Sequence, residues 1–177
     1  MQNRNSGRSR VLFLIVRSLA TIAISLAALR QAYAGPSARN SVVLFSDEDA
    51  LKLRLTDEQW SHSPHPRALS TGPNIVVRSP QVVSGGIPTI ETKTPADLVV
   101  QFEPRNAPVE MSSLDILAHK GIFSKSLTDM LRPYIHYDTI EVSKVQIPAG
   151  KFLLDITIGD QEGNVTTAIY RLEVNSQ

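Results

Sequence analysis

The stretch that decides the fold is FLLDITIGDQEGNVTTAIYRLEV, residues 152–174. Phe152, Leu154, Ile156 and Ile158 alternate with other residues, and so do Thr166, Ala168, Tyr170, Leu172 and Val174. A period of two puts each set on one face of a strand. Between the sets lies Asp160-Gln161-Glu162-Gly163, the chemistry of a type I turn closed by a glycine in the left-handed conformation. That loop pairs Asp160 with Asn164, Ile158 with Thr166, Ile156 with Ala168, Leu154 with Tyr170 and Phe152 with Leu172. Both apolar sets then fall on one face, and a slip of one residue would turn one set toward water. Turn chemistry and hydrophobic pattern therefore specify the same hairpin.

Working outward, the same period recurs upstream. Asn74–Arg78 is an apolar run between prolines, and Leu98, Val100 and Phe102 share a face within Ala96–Phe102. Leu114, Ile116 and Ala118 alternate with Asp115, Leu117 and His119. Ile140 and Val142 share one face, Val145 and Ile147 another, with a change of phase at Ser143-Lys144 that reads as a bulge or a switch between sheets. Ser126–Leu131 reads as a one- or two-turn helix with Ser126 as cap, ended by Pro133. The sum is an all-β, antiparallel sandwich of about seven strands with one short helical connector.

Residues 73–177 are the expected sandwich, and residues 35–72 a separate N-terminal arm and proline-rich linker. Within the arm, Ser41–Phe45 is apolar, Ser46 precedes Asp47-Glu48-Asp49 as a helix start, and Thr56–Trp60 adds a further turn. Ser61-His62-Ser63-Pro64-His65-Pro66 begins a stretch whose prolines oppose helix and ladder pairing. Val99, Leu117 and Leu153 fall on nominal outer faces. Gathered into one patch they would mark a partner surface or a dock for residues 41–60.

Residues 1–34 have the charged, apolar, small-residue order of a cleavable secretory signal, with Ala32-Tyr33-Ala34 before Gly35. The alternative, an uncleaved anchor, is opposed by Arg17 and by an apolar stretch shorter than the roughly 20 residues of a spanning helix. The expected location is periplasmic or extracellular. Five of the 18 basic residues and none of the 17 acidic ones lie in this leader. The remaining chain is thus mildly acidic and has no electrostatic footprint for nucleic acid or an anionic membrane. With no cysteine, disulfides, thiol catalysis and zinc ribbons are excluded.

Ile147–Phe152, Leu154–Ile158 and Asp160–Asn164, with Thr94–Leu98, resemble bacterial immunoglobulin-like or fibronectin type III-like modules of exported envelope proteins over residues 74–174. The resemblance implies an Ig-like sandwich. Many such modules carry a tyrosine where Phe152 stands, so a tyrosine corner is absent here. No G-x-S-x-G, Walker A, H-E-x-x-H or EF-hand pattern occurs. The four histidines do not form a ligand motif, so neither a metal nor another cofactor is expected. The expectation is a non-enzymatic binding or assembly module whose partner is an envelope protein or polysaccharide. Alternatives are a carbohydrate-binding module using loop aromatics, and an accessory subunit of a secretion or adhesion complex contacting through residues 41–60. The candidate binding residues are Trp60, Tyr134 and Tyr137. Of these, Tyr134 fits plugging of the sandwich end better, and Trp60 fits packing on the domain or on a partner.

Overall fold

The strands in this computed structural model, which describes residues 41–63, 70–84 and 86–176, follow the alternation of the sequence. Among the described residues they are β1 (Asn74–Ser79), β2 (Val82–Val83), β3 (Thr89–Lys93), β4 (Ala96–Glu103), β5 (Val109–Lys120), β6 (Phe123–Ser126), β7 (Ile135–His136), β8 (Thr139–Val145), β9 (Gly150–Asp160) and β10 (Val165–Asn175). They form a four-stranded sheet ordered β1-β4-β8-β7 and a six-stranded sheet ordered β2-β3-β10-β9-β5-β6. All ladders are antiparallel except β3 with β10. The first sheet has the A-B-E-D order of an immunoglobulin domain. The second has the G-F-C order, extended by a C′ strand and by a first-strand segment that has crossed sheets. The crossing falls at Pro80, which cannot donate to a ladder and so ends β1. The fold is an all-β, Ig-like sandwich.

The β9–β10 hairpin has the expected register throughout, from Gly159↔Val165 to Phe152↔Leu172. Gly163 takes φ +82°, the left-handed conformation that closes the turn. The Asp160 carboxylate fastens the loop from within. It accepts hydrogen bonds from the Glu162 N–H at 3.0 Å and from the Asn164 N–H at 2.9 Å, and both its oxygens accept from the Asn164 side chain. Burial pushes this carboxyl up, but the donors of Asn164, Glu162 and Gly163 outweigh burial and hold it below its ordinary value. A depressed carboxyl stabilises the fold above its unfolded-state value, and the contribution is lost as pH falls through the folded-state value. Asp160→Asn should therefore be less stable at neutral pH and lose less stability on acidification below about pH 4. Urea melts across the acid range check this.

The phase change at Ser143-Lys144 is a bulge. Leu98 pairs with Val142, yet Ala96 pairs with Val145, and Lys144 sits at φ +57°. Its N–H donates to Asp97 Oδ1 at 2.9 Å.

Three expectations need correction. The strands outnumber seven because β2, β3, β6 and β7 carry little alternation. Ser126 does not cap a helix. It ends β6 opposite Leu117, and the helix α3 (Thr128–Leu131) has no side-chain cap. The Thr128 hydroxyl is committed instead to the Ile116 N–H and the Asp115 carboxylate. Pro133 lies within a 3-10 turn, Arg132–Tyr134, that follows α3 directly rather than ending it.

The third correction concerns the arm. Its first part is not a separate region, because Ser41–Gln177 is one compact unit. Ser46 caps α1 (Asp47–Leu53) by accepting from the Asp49 N–H at 3.0 Å. Thr56 and Gln59 form a reciprocal capping box on α2 (Asp57–Ser61). Leu44, Phe45, Ala50 and Leu53 belong to the same buried core as Val100, Ile140, Phe152 and Leu172. Phe45 stacks on Phe152, ring centroids 4.9 Å apart. Without a tyrosine hydroxyl to satisfy, the Phe152 position takes a second phenyl ring. The expected leader and cleavage point, residues 1–34, and linker residues 64–69 lie outside the described residues.

Candidate functional site

Trp60 lies on α2, and strands β9 and β10 hold it. The Arg171 guanidinium stands 4.8 Å from its ring centroid and the Lys151 ammonium 5.6 Å. Arg171 Nη2 also donates to the Trp60 carbonyl. Lys151 reaches Asp57 at 2.7 Å, a contact that raises the lysine and lowers the aspartate from their ordinary values. Trp60 is therefore a fastener that pins α2 to the sheet. Nearby, Leu55 donates its N–H to the Lys151 carbonyl at 2.8 Å, and outward-facing Leu153 is only 5% exposed. The outer face of β9 is a dock for the arm, while Val99 and Leu117 stay half-buried.

Tyr134 ends the 3-10 turn, half-buried against the core. Tyr137 differs. It follows β7 and opens the two-residue turn to β8, between paired His136 and Thr139. It is 96% exposed and held at φ +53°, a backbone state that costs a bulky residue about 1–2 kcal/mol. The next residue, Asp138, accepts the Phe102 N–H at 2.8 Å, which fixes the turn against β4. The structure brings Tyr134 and Tyr137 to one end of the four-stranded sheet. Trp60 is held by the other sheet, so the three candidate residues do not form one site.

Sequence reasoning missed one pair. His119 Nδ1 and Asp155 Oδ2 lie 2.9 Å apart on the outer face of β5 and β9. Burial raises the Asp155 carboxyl above its ordinary value, against the pull of His119. Ser124 stands across from His119 on β6, but no hydrogen bond links its hydroxyl to the imidazole. The pair crosses two strands in an unsuspected register, so spacing alone carries no signal for it. His62 bonds the Glu58 carbonyl of its own helix, His136 is exposed on β7, and His65 lies outside the described residues. Among the described residues there is no group of three or more histidine, aspartate and glutamate side chains placed to hold a metal ion. No helix there is long and apolar enough to cross a membrane.

No protein-family model and no curated protein sequence matches the chain. Among solved structures, the chain is similar to CopC from Methylosinus trichosporium OB3b at 13% identity and a TM-score of 0.37, over 59% of this chain and 95% of that one. It is also similar to murine CRIg at 10% identity and a TM-score of 0.34, over 59% and 98%. The fold assignment rests on the strand order above.

Proposed function

We propose that this chain is an exported, non-enzymatic binding or assembly module of the bacterial cell envelope, and that Tyr137 is its recognition residue. The observation that carries the reading is Tyr137 itself. Its ring touches almost nothing in the domain, yet its backbone occupies a conformation that glycine would adopt without strain. A strained, outlying residue with an idle side chain points to a use outside the domain. Residues 41–60 spend Leu44, Phe45, Ala50 and Leu53 on the core, which leaves less of this segment for a partner contact. Export rests on the leader-like order of residues 1–34.

Tyr137→Gly separates folding from binding. It should raise stability by about 1 kcal/mol by relieving the left-handed backbone, measured by urea melts. The same variant should lose the partner that the mature chain captures from envelope extract. Undiminished capture by a stabilised Tyr137→Gly protein defeats the proposal. Hydrolase or transferase activity in the purified mature chain, abolished by one substitution, defeats its non-enzymatic part. Binding on a sugar array that vanishes with Tyr137→Ala would identify the partner as polysaccharide.

A further inference from the structure

Between the two sheets lies a cavity of about 50 Å³. Its wall is wholly apolar, and every side chain that lines it is aliphatic, among them Ala96 and Val100 of β4, Ile140 of β8 and Leu154 of β9. The buried rings of Phe45, Phe102, Phe152 and Tyr170 pack elsewhere in the core. The backbone explains why the space persists. The β1–β4 ladder shifts register between Val77 and Ser79, and the β4–β8 ladder between Ala96 and Leu98. Each shift bends a strand that borders the cavity. At the second shift the inward residue is Ala96, a single methyl group paired with Val145. Strand β4 is held by ladders to β1 and β8, and β9 by ladders to β5 and β10. Neither strand can move in to close the gap. Of the lining residues, Val77, Pro80 and Leu98 are half-buried and the others buried. The cavity therefore lies nearest to solvent where the chain crosses between the sheets, which gives a guest its shortest way in.

We propose that this cavity is a binding site for one compact apolar molecule, of the class of xenon, dioxygen or methane. Polarity and size select the guest. A buried water keeps about two to four hydrogen-bond partners, and this wall offers none. An apolar cavity of about 150 Å³ takes benzene or xenon. At about a third of that volume the benzene ring is excluded and only a compact guest fits. With carbon on every side and no charge or hydrogen bond to offer, the site recognises by dispersion alone. The most polarisable guest, xenon, therefore binds most tightly of the three. The wall also loses the contacts that a larger side chain at residue 96 would supply, so the space is held at a cost in stability. The site owes nothing to Tyr137 and stands whether or not that residue meets a partner.

Methyl-resolved NMR of the full mature chain under xenon gas tests the inference. The expected result is a saturable shift confined to the methyl groups of lining residues such as Val100, Ile140 and Leu154. Ala96→Val fills the space from the β4 side. It should weaken xenon binding at least about tenfold while raising the urea midpoint, as cavity filling does. Val100→Ile adds one methyl group to the same space and replaces Ala96→Val if that protein does not fold. Ile140→Val removes a methyl group from the wall, so it should bind xenon at least as tightly as the wild type. Benzene should leave the spectrum of the wild type unchanged. A wild type with no saturable shift overturns the inference, and so do shifts spread over surface methyl groups. Xenon affinity untouched by both β4 variants, or benzene bound as tightly as xenon, overturns it as well.

Discussion

Phe45→Ala lowers the stability of the fold by about 3–5 kcal/mol, the cost of removing a fully buried aromatic ring from a core. Phe45 is 1% exposed and Phe152, on which it stacks, is 0% exposed. The alanine leaves a space lined by Phe152 and neighbouring core side chains, and strand β9 below it is fixed on both sides by ladders and cannot collapse inward. Part of the cost is specific to the ring pair, which contributes about 0.5–1.5 kcal/mol beyond its buried area. A double-mutant cycle with Phe152→Leu isolates that part. Leu51→Ala, on the exposed side of α1, is the control and should change stability by less than about 0.5 kcal/mol. Urea melts of the three proteins check the order. A Phe45→Ala protein as stable as the control would mean that the arm is dispensable to the core. The same packing argues that a chain beginning at Pro73 lacks part of its core and does not fold. Partner mapping by deletion of residues 35–72 would therefore confuse loss of contact with loss of structure.

The hairpin was legible because two local signals coincide in it. Asp160 and Gly163 carry the turn, and the alternation on either side fixes the face, with no distant residue needed. The Lys144 bulge was legible for the same reason, as a break in phase inside one short segment. The arm was legible only in its helices. Ser46 and Thr56 announce caps, but nothing near Leu44 and Phe45 says that a second aromatic, Phe152, waits more than a hundred residues later in the chain. Strand β3 was invisible for a related reason. It has one buried apolar residue, Ile90, and its ladder is a parallel pairing with the far end of the chain.

The candidate site divides the same way. Trp60, Tyr134 and Tyr137 look alike as isolated aromatics, and only the register of β9 and β10 reveals that Lys151 and Arg171 occupy Trp60. Tyr137 stands out only when its backbone is seen, since the first position of such a turn ordinarily belongs to glycine.

Gly72→Ala should cost at least about 3 kcal/mol, the upper end of ordinary overpacking, although the change adds one methyl group and leaves the apolar core untouched. The reason is where the chain returns to the sandwich. Ser70 bridges to Thr166, and the N–H groups of Thr71 and Gly72 both reach the Val165 carbonyl at 3.3 Å. This lays the chain against the start of β10, beside the hairpin loop. A Cβ at residue 72 would lie 2.6 Å from the Asn164 carbonyl oxygen and 2.9 Å from the Val165 carbonyl carbon. Both are backbone atoms, so no rotamer change relieves the overlap. Asn164 cannot yield either, because Asp160 holds it through its N–H and its side-chain amide. The methyl group must therefore push residues 70–72 off the hairpin, breaking their bonds to Val165, or open the Asp160–Asn164 loop. Gly163→Ala is the comparison. A methyl there meets no atom within 4 Å, so its cost is the left-handed backbone alone, about 1–2 kcal/mol. Urea melts should rank Gly72→Ala as the more damaging of the two. Equal costs would show that the approach of residues 70–72 to the hairpin is loose, and that this end of the sandwich closes without them.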